Sequence, residues 1–277
     1  MRLATIRTGQ GTAAVRVDGT EAVEIDAPDV GALLADAGWA SRAGTADGRR
    51  HPADALDYAP LVPHPPKIIC VGLNYRNHIL EMGRELPEHP TLFAKYASSL
   101  IGARDDIVLP MVSTQVDWEA ELAVIIGAPA RHVSAADAPS AIAGYSVLND
   151  VSVRDYQNRT LQWLQGKTFE SSTPLGPELV TLDEVEGVDG FELGCAVDGE
   201  LMQKAMTSDL VFPPAALVSY ISDIFTLEPG DVIATGTPGG VGHARTPPRY
   251  LADGDVVVTR IERIGECRNA CRAEPAA

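Results

Sequence analysis

The sequence predicts an α+β protein, rich in strands and supplied with short helices, on three observations. Its apolar runs are short, as at residues 67–71 and 122–126, and glycines close them, Gly72 and Gly127. Strand and helix signals do not alternate in the rhythm that a doubly wound parallel sheet requires. No segment repeats.

Residues 1–66 read as a small leading module and residues 67–277 as the main domain. In the module, residues 3–6 and 13–17 alternate as strands, Asp18-Gly19 is a hairpin turn, and residues 30–40 form a short helix. Pro60, Pro63, Pro65 and Pro66 exclude regular helix or a central strand, so residues 59–66 are a link. In the main domain, residues 67–71 form a strand, residues 75–82 a short helix, and residues 122–126 and 141–148 buried strands. Ser152, with Asp155 three positions on, caps the next helix as an aspartate variant of the capping box. Residues 191–197 and 200–204 make a hairpin about Asp198-Gly199. Pro213 and Pro214 suit a helix start, and Leu217, Ile221 and Ile224 give that helix an inward stripe. Residues 231–234 and 256–261 complete the strands.

The 277 residues carry a net charge of −16, with a pI of about 4.7 and 45% hydrophobic residues. A chain of this size holds a core without disulfides. It lacks the basic stripe that gains free energy by releasing counterions from nucleic acid, and the polybasic patch that binds an anionic membrane. The acidity does not exclude an anionic substrate, because a metal and a few lysines outweigh a diffuse surface field. Cys70, Cys195, Cys267 and Cys271 read as free thiols of a reduced cytoplasm. The C-x3-C pair at 267 and 271 has no second ligand pair for structural zinc. The opening MRLATIRTGQG lacks the apolar stretch of a signal peptide, and no apolar run reaches the ~18 residues of a membrane span.

The chemistry lies in a few short segments. In VDWEAELAVIIG, residues 116–127, Glu119 and Glu121 lie two apart, so a strand turns both to one face. Alone, such a pair reads as a solvated face. The apolar run behind it requires instead that the charges be paired or coordinated, since bare burial is strongly unfavourable. Asp150, in LNDVSVRD, ends a strand and opens a helix, and alone it reads as an N-cap. Beside Glu119 and Glu121 it completes an all-oxygen set suited to Mg²⁺, Mn²⁺ or Ca²⁺. In VGLNYRNHILEMG a helix puts His78 and Glu81 on one face. They are either an ordinary surface pair or a base for water, with the carboxylate fixing the ring tautomer. Gly83, Pro87 and Pro90 around them suit a mobile lid. Lys167 in GKTFE and Lys95 in FAKYASSLIG are each either solvated or placed to balance the acids or hold an oxyanion. The loop ATGTPGGVG, residues 234–242, lacks the nucleotide-binding pattern; its small residues let backbone N–H groups and the Thr237 hydroxyl approach a carboxylate.

These segments, in this order, resemble the fumarylacetoacetate hydrolase superfamily. The matching stretches are VGLNYRNHILEMG, FAKYASSLIG, VDWEAELAVIIG, GYSVLNDVSVRD, GKTFESSTPLGP, LEPGDVIATGTPGGVG and VVTRIERIGE, spanning residues 67–266. The resemblance, in an acylpyruvase or 2-hydroxyhepta-2,4-diene-1,7-dioate isomerase-like branch, implies a mixed β-roll or barrel catalytic domain. It also implies a homodimer and Mg²⁺ or Mn²⁺ in the site, with Ca²⁺ as a substitute. By matched position it implies Glu119, Glu121 and Asp150 as metal ligands and His78 and Glu81 as a water-activating dyad on a lid. Lys167 is implied as the lysine beside the metal, and Lys95, Gln157 and Thr237 as substrate contacts. Two positions depart from the pattern: Tyr96-Ala97 follows Lys95 where relatives often have a proline, and Val153 stands where many have alanine.

The activity so implied is a cytoplasmic hydrolase of aromatic catabolism, cleaving a C–C bond in acylpyruvate or fumarylpyruvate-type 2,4-dioxo acids. It works through a metal-stabilised enolate and a water activated by His78 and Glu81. The same enolate chemistry serves oxaloacetate decarboxylation, tautomerisation of 2-hydroxymuconate-like dienoates and dehydration of a 2-oxo-3-deoxy sugar acid. A non-catalytic binding protein is the alternative of another class. The expected partner is a small 2-oxo or 2,4-dioxo carboxylate, with neither nucleic acid nor membrane.

Overall fold

The computed structural model describes residues 1–81, 83, 85–186 and 190–275, Glu81 by its backbone alone. Short strands with apolar faces present more surface than short helices can cover, so sheet packs on sheet. The larger sheet runs in the order Arg50–Pro52, Glu21–Glu24, Gly11–Asp18, Arg2–Thr8, Thr173–Thr181, Ile142–Asn149, Ala120–Ile126, Val232–Ala234, Ile68–Gly72 and Thr91–Lys95. Leu100–Ile101 joins it beside Thr173–Thr181. The smaller runs Glu200–Met206, Glu192–Val197, Val256–Ile261, Gly265–Ala273 and Ile107–Leu109. Val116–Asp117 and Ser152–Val153 form a separate two-stranded ladder. The architecture is therefore α+β and β-rich, as expected, but both sheets are open and neither closes into a barrel. The leading strands continue the larger sheet, Arg2 and Leu3 pairing with Val180 and Leu179.

One core fills the space between the sheets, joining Leu122, Val147 and Val180 of the larger to Leu193, Val257 and Ile261 of the smaller. A second cluster packs Val124, Ile126 and Ile233 against the helix Pro214–Ile224 through Leu217, Val218 and Ile221. Among the described residues no helix is long and apolar enough to cross a membrane.

Several local expectations are corrected. Residues 30–40 hold two helices, Val30–Leu34 and the start of Trp39–Thr45, because Asp36 turns the chain between them by accepting from the Gly38 N–H at 2.8 Å. Ile224 is 53% exposed, so the inward stripe of its helix is Leu217, Val218 and Ile221. Ser152 and Asp155 do not cap the helix Arg154–Gln157: the Ser152 hydroxyl donates to the Asp150 carbonyl, and Asp155 accepts from Ser113. The helix expected at 75–82 covers Arg76–Glu81, Met82 lying outside the described residues. The C-terminal stretch, to which the sequence assigned no element, is the strand Gly265–Ala273, with Cys267, Asn269 and Cys271 turned inward and Glu266, Arg268 and Arg272 outward. All four cysteines are free and buried.

Candidate active site

The site begins with a strand pairing. Ala120–Ile126 is buried along its whole length and runs antiparallel to Ile142–Asn149, with Ala120 opposite Asn149 and Glu121 opposite Leu148. Residues 119 and 150 therefore meet where the two strands end. The Asp150 N–H donates to the Glu119 carbonyl at 2.8 Å, and the Glu119 N–H donates to Asn149 Oδ1 at 2.9 Å. Asn149 Nδ2 in turn donates to Thr259 Oγ1 of the smaller sheet at 2.8 Å. This backbone geometry brings Glu119, Glu121 and Asp150 together, one oxygen of each within 4.8 Å of the others, and all three are buried. Asp150 accepts from lysines and so is not acting as a helix N-cap.

Three cations answer these acids. Lys167 Nζ donates to Glu119 Oε2 at 2.6 Å and to Asp150 Oδ2 at 2.8 Å. Lys95 Nζ donates to Asp150 Oδ1 at 2.6 Å, and Arg154 Nη1 lies 2.6 Å from Glu119 Oε1. Burial by itself pushes the Asp150 carboxyl up, but Lys167 and Lys95 outweigh it and hold that carboxyl below its ordinary range. Burial likewise opposes the charge on Lys167, yet Asp150 and Glu119 keep its ammonium above its usual value. Glu121 is different. Its Oε2 accepts the Gly236 N–H at 2.7 Å, and among the described residues it forms no ion pair. Burial, with Asp150 and Glu119 adding repulsion, drives its carboxyl well above the usual carboxylate range. A buried acid lacking a counter-cation, beside two others and with only oxygens on offer, fits a hard divalent ion such as Mg²⁺, Mn²⁺ or Ca²⁺.

Over the acids lies a cavity of about 280 Å³, into whose lining His78, Gln157, Lys167 and Thr237 all fall. His78 comes from the helix Arg76–Glu81; the side chain of Glu81, its expected partner, lies outside the described residues. Gln157 Oε1 accepts from Arg154 Nη1 at 2.9 Å. Thr237 donates to the Ala120 carbonyl and accepts from Gln203 Nε2, which ties the glycine-rich loop to the strand bearing Glu121. This loop's backbone approaches two carboxylates, Asp117 through Gly242 and Glu121 through Gly236, whose φ of +98° favours glycine. Lys95, expected among the substrate contacts, is instead fully buried against Asp150 and the Val151 carbonyl, outside the cavity lining.

The structure adds residues that the sequence did not single out. Phe93 and Trp163 form an aromatic wall, edge to face with ring centroids 5.4 Å apart. Trp163 lies so close to Gly72 that a Cβ there would meet its ring at 2.4 Å. Asp117 is fully buried and accepts four hydrogen bonds, from the N–H groups of Trp118, Gly242 and His243 and from Arg154 Nε. Arg154 and Asp117 are 37 positions apart, and only the fold pairs them.

A carboxylate cluster with its own buried counter-ions, under a small cavity with a histidine in its wall, is the architecture of an enzyme for small molecules. The family model described as fumarylacetoacetate (FAA) hydrolase C-terminal matches residues 67–272. The chain belongs to this family. It is 44% identical over 215 residues to the mitochondrial oxaloacetate tautomerase Fahd2a of Rattus norvegicus, covering 77% of this chain and 69% of that protein. Among solved structures, a fumarylacetoacetate hydrolase from Exiguobacterium antarcticum superposes with a TM-score of 0.86 at 32% identity, over 99% of this chain and 100% of the other. A 5-carboxymethyl-2-hydroxymuconate delta-isomerase from Mycobacterium smegmatis superposes with a TM-score of 0.81 at 34% identity, again over 99% and 100%.

Proposed function

We propose that this chain is a divalent-metal-dependent enzyme that moves a proton at the carbon beside the keto group of a 2-oxo acid, with tautomerisation of oxaloacetate or a close relative as its reaction. The observation that carries this reading is Glu121, a buried acid without a counter-cation at the floor of a cavity that His78 and Lys167 also line. The oxaloacetate tautomerase and the hydroxymuconate isomerase among its relatives support the same choice.

Glu119, Glu121 and Asp150 would hold the ion, which when bound supplies Lewis acidity toward a chelating 2-oxo acid. The remaining work falls to the chain. Lys167, kept protonated by Asp150 and Glu119, sets a fixed positive charge beside the 2-oxo oxygen as negative charge grows there. His78 takes the proton from the adjacent carbon and returns it to the other tautomer's position. Thr237 and Gln157 orient the carboxylate end, while Phe93 and Trp163 keep bulk water from the reacting atoms. No water enters the balance, so the dyad of His78 with Glu81 is not required. C–C hydrolysis is the second reading, favoured by one observation: His78 and Glu81 stand three residues apart on one helix, as water activation would need. A cytoplasmic homodimer completes the proposal, supported by four free buried thiols and by exposed Leu161 and Leu201.

Feeding the Mg²⁺-loaded protein enol oxaloacetate, and separately an acylpyruvate, tests this. The expected result is faster loss of enol absorbance without CO₂ release, and no pyruvate from the acylpyruvate. Pyruvate from the acylpyruvate would transfer the assignment to hydrolysis, and CO₂ from oxaloacetate would transfer it to decarboxylation. His78→Ala should lower turnover by about 10²–10⁴-fold while the ion stays bound. Full turnover in metal-stripped protein would refute the scheme.

A further inference from the structure

We infer that His243 is the specificity-determining residue that reads the far carboxylate of the substrate. The inference rests on the 2-oxo acid reading and assigns a residue to the distal carboxylate of that substrate. A continuous polar path leads from the candidate metal ligands to the cavity mouth. Glu119 meets Arg154 Nη1 at 2.6 Å, and Arg154 Nε donates to Asp117 Oδ2 at 2.8 Å. The same Oδ2 accepts the His243 N–H at 2.9 Å, so one oxygen anchors both the guanidinium and the histidine backbone. Asp117 Oδ1 adds the Gly242 N–H at 2.7 Å, and the loop that carries His243 is clamped at two successive residues.

The ring is braced as well. His243 Nδ1 lies 2.9 Å from the Tyr250 hydroxyl. A hydroxyl donating to Nδ1 leaves the ring proton on Nε2, which is then a donor for a carboxylate oxygen. His243 is exposed and also lines the cavity, so it stands at the mouth, where binding an anion entails little desolvation. Of the other lining residues, Val71 and Phe93 are apolar and Trp163 offers only its indole N–H. A short 2-oxo acid held by its keto-acid end at the floor therefore extends along Arg154 toward His243. Nη2 of that buried guanidinium has no hydrogen-bond partner among the described residues.

Calorimetric titration of the Mg²⁺-loaded full chain with 2-oxoglutarate and with 2-oxopentanoate, equal in carbon count but different in the distal carboxylate, tests the inference without relying on turnover. The expected result is a preference for 2-oxoglutarate in the native protein that falls about tenfold in His243→Leu. His243→Gln, which keeps a donor, should retain part of it, and Tyr250→Phe should lose part. A preference unchanged in His243→Leu overturns the inference, as does a native protein that binds both acids equally. A native protein that binds neither overturns the 2-oxo acid reading itself, and this inference with it.

Discussion

Lys167→Met is the sharpest probe of how the acid cluster is held. The side chain is 2% exposed and touches Glu119 and Asp150 at 2.6 and 2.8 Å. Removing one partner from a buried ion pair costs about 3–5 kcal/mol, since the remaining charge has lost both water and its counter-ion. Here the loss should fall at the lower end, about 3 kcal/mol, because Arg154 still pairs with Glu119 and Lys95 with Asp150. Methionine matches the stem's volume, so a cavity adds little. For a chain of this length that loss lowers Tm by roughly 6–10 °C in metal-free buffer. A divalent ion supplies the missing positive charge, so adding Mg²⁺ should raise Tm by more in the variant than in the native protein. Differential scanning calorimetry with EDTA and with Mg²⁺ measures both. A variant that melts within about 2 °C of the native protein in EDTA, or gains no more from Mg²⁺, would refute the reasoning.

Two further outcomes follow from the same geometry. Glu121 holds its proton above the usual carboxylate range, so in metal-free protein its ionisation opposes the fold as pH rises from that range toward the raised value. An ion must displace that proton, so the Tm gain from Mg²⁺ should be small near pH 5 and grow toward pH 8; a gain that is flat or falls with pH would count against it. Gly72→Ala should displace Trp163, because the new Cβ would sit 2.4 Å from its ring, at a cost of about 1–3 kcal/mol. A raised KM with shifted tryptophan emission is expected, and unchanged values of both would show that the aromatic wall does not shape the cavity.

The acid triad was legible in the sequence because its signals are local. A two-residue spacing ahead of a buried strand puts Glu119 and Glu121 on one side, and Asp150 closes the neighbouring strand. The glycine-rich loop was legible in kind, since small residues permit close backbone approach, as Gly236 makes to Glu121. What escaped depends on distant pairing. Nothing near Arg154 announces Asp117, and nothing near His243 announces that Asp117 fixes its backbone. Lys95 could be assigned to the substrate or to the acids from its segment, and only the fold turns it to Asp150. The strand Gly265–Ala273 was hidden because its inward residues are two cysteines and an asparagine, whose alternation with arginines resembles a tail.

The hydrogen bonds joining Glu119, Asn149 and Asp150 are made by the polypeptide, through two backbone amides and one side-chain amide. The seat these acids would offer a cation is thus set by the same ladder that aligns two neighbouring strands. Three carboxylates are therefore held side by side by backbone pairing, whichever group neutralises them.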